Sequence, residues 1–246
     1  MERIKFLGTF VDNLTMEETI EEVDKYIYKN KPLHLIGVNA DKINELSKDF
    51  KLRKLVNECG IINADGASVV WASKVLHLPI KERVAGIDLM LKLVKLAEKK
   101  KYSIYLLGAK QEVVEKTAET LQKSYPGLHI AGYRNGYFTE SEWPQIAEEI
   151  EKSKAQLVFV GISSPMKEYL IEYFQKRNMN QVFMGVGGSF DVISGNIPRA
   201  PEWVQKIGME WFFRFLQEPQ RLWKRYLIGN TIFVFRVYRE KFRKSV

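Results

Sequence analysis

Cysteine is almost absent: Cys59 is the only one in 246 residues. That excludes a disulfide framework and a cysteine-cluster metal site, and it suits a reducing cytoplasm. Histidine is nearly as sparse. His34, His77 and His129 fall at no ligand spacing, so structural or surface roles are expected for all three. Long apolar runs are missing too. The longest, Tyr226 to Phe235, lies between Arg225 and Arg236 and contains Gly229, Asn230 and Thr231, well short of the ~20 residues of a spanning helix. The start, Met1-Glu2-Arg3-Ile4-Lys5, has no apolar secretory core, so the chain is expected to stay inside the cell. No internal repeat or low-complexity linker occurs. At 46% hydrophobic and 28% charged, the composition excludes disorder.

Three ligand signatures are also lacking. Gly185-x-Gly187-Gly188 has no third spaced glycine and comes too late in the chain for a dinucleotide fingerprint. No Gly-x4-Gly-Lys-Ser/Thr loop exists, which excludes a P-loop NTPase. No Asp-x-Asp occurs, so the usual carboxylate clamp for a divalent ion on a sugar diphosphate is absent. A metal centre is not expected.

What the chain does have is unevenly placed charge. Residues 196–246 hold 11 Lys+Arg and 4 Asp+Glu, giving +7 of the formal +8. The same segment carries 11 of the 30 aromatics, Trp203, Trp211 and Trp223 among them. A near-neutral body (1–195) followed by a basic, aromatic appendage (196–246) points to an anionic partner: a membrane surface, a phosphate-bearing substrate or nucleic acid.

Between residues 33 and 187 short apolar runs alternate with amphipathic stretches of helical length. Strands are expected at Leu33–Val38, Gly60–Asn63, Ser103–Gly108, Leu128–Gly132, Gln156–Ile162 and Gln181–Gly185, with helices at Gly86–Lys100, Gln111–Ser124 and Ser141–Lys152. The pattern is α/β: a Rossmann-like, mostly parallel sheet with helices on both faces. Ligands bind such sheets at the carboxyl ends of the strands. Small and polar residues crowd those ends, around Gly37-Val38-Asn39, Asn63-Ala64-Asp65-Gly66, Leu107-Gly108-Ala109, Gly161-Ile162-Ser163 and Gly185-Val186-Gly187-Gly188-Ser189. Five such turns in phase favour a nucleotide or another phosphorylated ligand.

Asp65 allows two readings from its position: a helix N-cap, or a general base at the cleft mouth. Arg83 likewise reads as a surface charge, or as a guanidinium for a diphosphate leaving group. Composition does not separate these.

Taken together, the segments resemble the TagA/WecG/CpsF family of bacterial glycosyltransferases. The likeness rests on Val38-Asn39-Ala40, Ala64-Asp65-Gly66, Glu82 to Asp88, Leu107-Gly108-Ala109, Gly136-Tyr137-Phe138, Gly185 to Val192, Ser194-Gly195, Arg199-Ala200-Pro201 and Glu210 to Arg225. The resemblance implies an inverting, metal-independent enzyme without cofactor, moving a sugar from a UDP donor to an undecaprenyl-diphosphate-linked sugar. N-acetylmannosamine onto lipid-linked N-acetylglucosamine, for wall teichoic acid, is the leading expectation. Asp65 would then be the base, with Asn39 and Arg83 positioning substrates. Gly108, Tyr137, Gly187, Gly188, Ser189 and Asp191 would contribute to substrate binding. Arg214, Arg221 and Arg225 would contact phosphate. Two positions depart from the commoner family pattern: Gly37 stands where many members have Thr, and Lys167 where many have Gln. Both would touch the sugar, which keeps UDP-glucose or another hexose donor open.

In the appendage one helix is expected from Pro201 to about Gln217 and a second from Pro219, the latter with Arg221, Lys224 and Arg225 on one face. The segment is expected to dock on the anionic inner face of the cell membrane. No nucleic-acid motif is present. A non-catalytic UDP-sugar-binding adaptor and a Rossmann-type oxidoreductase are the readings from other classes, and a homo-oligomer is left open.

Overall fold

A computed structural model describes residues 1–244; the side chains of Lys206, Arg221 and Lys244 lie outside the described residues. The chain opens with an antiparallel hairpin, β1 (Arg3–Phe6) and β2 (Thr9–Asp12). Its turn at Leu7 and Gly8 has φ of 49° and 88°, the primed geometry that matches strand twist. Helix α1 (Met16–Tyr28) follows, closed by a reciprocal Thr15–Glu18 capping box.

Then come β3 (Leu33–Val38), α2 (Ala40–Lys48), α3 (Phe50–Asn57), β4 (Ile61–Ala64), α4 (Ala67–Val75), α5 (Gly86–Lys100), β5 (Ser103–Gly108), α6 (Gln111–Ser124) and β6 (His129–Arg134). The alternation continues through α7 (Trp143–Ser153), β7 (Leu157–Gly161), α8 (Met166–Lys176), β8 (Val182–Gly185) and α9 (Ser189–Ile193). Strands β3 to β8 form one parallel sheet in the order β4-β3-β8-β7-β5-β6. Both faces are covered, and for that reason the central strands read as unbroken apolar runs. Leu33 and Leu35 of β3 pack in a core with α1 and α5, whereas Ile36 and Val38 pack against α2, α3 and α4.

The hairpin and α1 were not anticipated from the sequence. The hairpin is fastened to the β4 side of the sheet. The buried Asp12 carboxylate accepts from Arg3 Nε at 2.8 Å and from the Ile62 N–H at 2.7 Å.

The final segment corrects an expectation. Instead of one helix from Pro201 to Gln217 there are two, α10 (Glu202–Lys206) and α11 (Glu210–Gln217). Gly208, at φ +74°, breaks the chain between them, and the Met209 N–H turns back to Val204 O at 3.0 Å. Val204 is therefore buried, while Ile207 is exposed. Pro219 does open a helix, α12 (Pro219–Trp223), which passes through a π-helical stretch, Lys224–Gly229, into α13 (Asn230–Lys244). Phe233 and Val237 of α13 are 1% and 0% exposed and share a core with Ile36, Val38, Ile62 and Leu52. The outer surface of the segment is the reverse: Trp203, Phe212, Leu216, Leu227, Phe235 and Phe242 are exposed. Among the described residues no helix is long and apolar enough to cross a membrane.

Candidate active site

A cleft of about 1580 Å³ opens at the carboxyl ends of β3, β4, β7 and β8, with α11 to α13 along its other side. Among the described side chains, every site residue nominated from the sequence lines it except Gly108. Gly108 is wedged between strands, where a Cβ would meet Gly161 O at 2.4 Å, so it serves the close approach of β5 and β7. The Arg221 side chain lies outside the described residues.

Asp65 does not cap its own helix. The N-cap of α4 is Gly66, with no side-chain cap. The Asp65 carboxylate reaches across to the first residue of α5 and accepts the Gly86 N–H at 2.8 Å. It lies half-buried directly against Gly37, where a Cβ would come within 2.7 Å of Asp65 Cβ. Gly37 therefore makes room for the carboxylate. Enclosure pushes the Asp65 carboxyl above the ordinary range, against the Gly86 hydrogen bond and the Arg83 and Lys167 charges, which pull it down. A carboxylate whose pKa is raised is a stronger proton acceptor than a free one.

Asn39 is the true cap in this region: its Oδ1 accepts the Lys42 N–H at 3.0 Å at the start of α2. Arg83 donates from Nε to the Asp65 carbonyl at 3.4 Å and pairs through Nη2 with Glu210 of α11. On the opposite wall, Arg214 lies across the Gly187-Gly188 turn. A Cβ on Gly188 would meet Arg214 Nη2 at 2.5 Å, so the glycine allows the guanidinium to reach the backbone. Ser189 turns its hydroxyl inward to Val186 O, at 2.7 Å. Asp191 lines the same wall. Tyr137 stands 72% exposed at the rim, where a ligand could gain its ring. Arg225 pairs with Asp41 at 3.1 Å across the mouth.

The structure adds a group that sequence reasoning did not find. Lys42, from the buried face of α2, pairs with Glu168 at 3.0 Å and with Glu45 at 2.9 Å, and it also contacts Ser164. Lys167 approaches the same Glu168 oxygen at 3.4 Å, its stem passing beside Gly185. Burial would raise the Glu168 carboxyl, but the Lys167 and Lys42 ammoniums outweigh it and hold it down at about 2. Lys42 gave no signal in sequence, since a lysine on a helix reads as surface. Glu210 and Arg199 sat inside quoted motifs but were assigned nothing. Of the histidines, only His34 is buried; it contacts the Cys59 sulfur at 3.2 Å, and burial lowers its imidazole to about 4. Among the described residues no three His, Cys, Asp or Glu side chains gather as metal ligands do.

The description "Glycosyl transferase WecG/TagA/CpsF family" matches residues 4–246. The chain belongs to the WecG/TagA/CpsF family of glycosyltransferases. Among its relatives is a Bacillus spizizenii protein 33% identical over 202 residues, covering 82% of this chain and 77% of its own. A Bacillus subtilis protein is 33% identical over 216 residues, 87% of this chain and 83% of that one. A Staphylococcus aureus protein is 32% identical over 241 residues, 97% and 93% of the two chains. Each of the three is named N-acetylglucosaminyldiphosphoundecaprenol N-acetyl-beta-D-mannosaminyltransferase. Family membership spans the body and the basic final segment alike.

Proposed function

We propose that this WecG/TagA/CpsF member transfers N-acetylmannosamine from a UDP donor to N-acetylglucosamine carried on undecaprenyl diphosphate, with inversion at the anomeric carbon. The observation that carries the reading is the Asp65 carboxylate, fixed by the Gly86 N–H at the cleft wall beside Arg83. Asp65 takes the proton of the acceptor hydroxyl while that oxygen forms its bond to the anomeric carbon. The bond from that carbon to the UDP oxygen breaks on the opposite face, and its electron pair leaves with the diphosphate. Arg83, Arg214 and the backbone of the Gly187-Gly188 turn meet the developing charge. Asn39 orients the substrates, Tyr137 and Asp191 border the uridine and Lys167 borders the sugar. The names of the relatives favour N-acetylmannosamine over another hexose, and transfer over a passive adaptor.

The final segment brings the cleft to the lipid-linked acceptor at the inner membrane face. Its exposed Trp, Phe and Leu side chains enter the headgroup layer, and its basic residues meet anionic lipid. No metal takes part in this reading. UDP release from UDP-N-acetylmannosamine, dependent on a lipid-linked N-acetylglucosamine and unchanged by EDTA, is the expected result. UDP release without that acceptor, or a requirement for a divalent ion, would refute it.

A further inference from the structure

Helix α11 carries Glu210 and Arg214 four residues apart, so both leave one face of it toward the cleft. Glu210 is held there by Arg83 of the body and Arg199 of the final segment. Its carboxylate pairs with Nη2 of Arg83 and lies 3.8 Å from Nε of Arg199, while Arg199 Nη2 holds Asp88 at 2.5 Å. Arg214, one turn on, rests over Gly188. Two of these guanidiniums keep a buried Nε without a hydrogen bond, each 3.8 Å from a carboxylate oxygen, Arg199 from Glu210 and Arg214 from Glu218. Three guanidiniums thus line one cleft, each already beside a carboxylate: Glu210 on Arg83, Glu210 and Asp88 on Arg199, and Glu218 on Arg214. Such a setting suits an anion with more charge and more oxygens than a carboxylate has.

We propose that Glu210 is a built-in stand-in for the donor's diphosphate, occupying Arg83 and Arg199 until a nucleoside diphosphate displaces it. The inference rests on the UDP-sugar reading above. An Arg83 neutralised by Glu210 has little charge left for a leaving diphosphate, and two anions on one guanidinium repel each other. The contact is open to exchange, since the Arg83 and Glu210 side chains keep 27% and 21% of their surface exposed. Helix α11 is bounded by chain breaks at both ends, with Trp211 and Phe215 packed on Tyr226. It lies between the Gly208 turn and the Glu218-Pro219 break, and the buried anchors Phe233 and Val237 lie beyond that break. The exchange frees Glu210 while Arg214, on the same helix, gains a phosphate partner.

The test is calorimetric titration of UDP, and of uridine as the ligand lacking phosphate, into the full chain, Glu210→Gln and Arg83→Ala. Glu210→Gln is expected to bind UDP roughly fivefold more tightly, the scale of one partly exposed ion pair, with uridine unchanged. UDP binding that is equal or weaker in Glu210→Gln overturns the proposal, because a carboxylate that braces Arg83 for the ligand would be missed on removal. Arg83→Ala separates the two levels. If it weakens UDP binding while Glu210→Gln changes nothing, only the stand-in role falls. If it leaves UDP binding intact, Arg83 is not a phosphate residue, and both the stand-in and that part of the UDP-sugar reading fall. Should Glu210→Gln not fold, Glu210→Asp, one methylene short of Arg83, carries the same test with an expected gain of about twofold. No gain there overturns the proposal equally.

Discussion

The sheet body and the final segment handle apolar surface in opposite ways. In β3, β4, β5 and β7 nearly every side chain is buried, because helices cover both faces of the sheet. From α10 to α13 the chain buries a few anchors, Val204, Leu222, Phe233 and Val237, and leaves a row of larger aromatics in solvent. The body's core on the α2–α4 side is nonetheless completed by Phe233 and Val237 of the segment. The segment packs on the body with its inner side and exposes Trp203, Phe212, Phe235 and Phe242 on its outer side. The cleft lies where they meet, with Asp65 from the body and Arg214 from the segment on facing walls.

Changing the body's chemical centre should give the largest effect. Asp65→Asn keeps the Gly86 hydrogen bond but cannot accept the proton, so turnover is expected to fall about 10²- to 10⁴-fold with UDP binding retained. The same carboxyl sets a pH dependence. Its pKa is raised in the folded chain, so the anionic base is lost as pH falls through that raised value, and the acid limb of kcat/KM should lie above the ordinary carboxylate range. Full turnover by Asp65→Asn, or an acid limb at the value of a free carboxyl, would remove Asp65 as base.

Next in size is the contrast between two phenylalanines two residues apart. Phe233→Ala, at 1% exposure, should cost about 3–5 kcal/mol in denaturant unfolding. Phe235→Ala, at 68% exposure, should change unfolding little and instead weaken sedimentation with anionic liposomes. Equal behaviour of the two variants in both assays would erase the distinction between inner and outer faces.

Gly37→Thr tests the body side of the cleft. The added Cβ lands on Asp65, so the expected outcome is a loss of kcat with every donor, worth about 1–3 kcal/mol of misfit. A changed donor preference at full rate would instead make position 37 a reader of the sugar.

The smallest effect concerns surface charge. Reversal of the exposed Arg239 and Arg243 to Glu should lower liposome binding by about 1 kcal/mol per charge, more weakly at high salt. Transfer to a water-soluble acceptor should stay as it is. A parallel loss with both acceptors would mean that these charges serve the chemistry and not the membrane.

Residue order alone fixed a good deal. The spans of β3 and β5, and of α5 and α6, coincide with the apolar runs and the three- and four-residue periodicities, since local burial imprints itself on local pattern. The glycine-marked strand ends located the cleft, and the sequence left Asp65 and Arg83 with two readings each. Tertiary structure supplied the partners of both. Asp65 bonds to a helix that starts 21 residues later, Lys42 meets Glu168 across 126 residues, and Arg83 meets Glu210 across 127. No periodicity reaches that far. Those meetings follow from the strand order β4-β3-β8-β7-β5-β6, which sets α2 beside α8, and from the way α13 docks on the sheet and carries α11 over the cleft. The sequence names the charged groups, but only the folded chain determines which of them neutralise each other, because that depends on distances that long crossovers create.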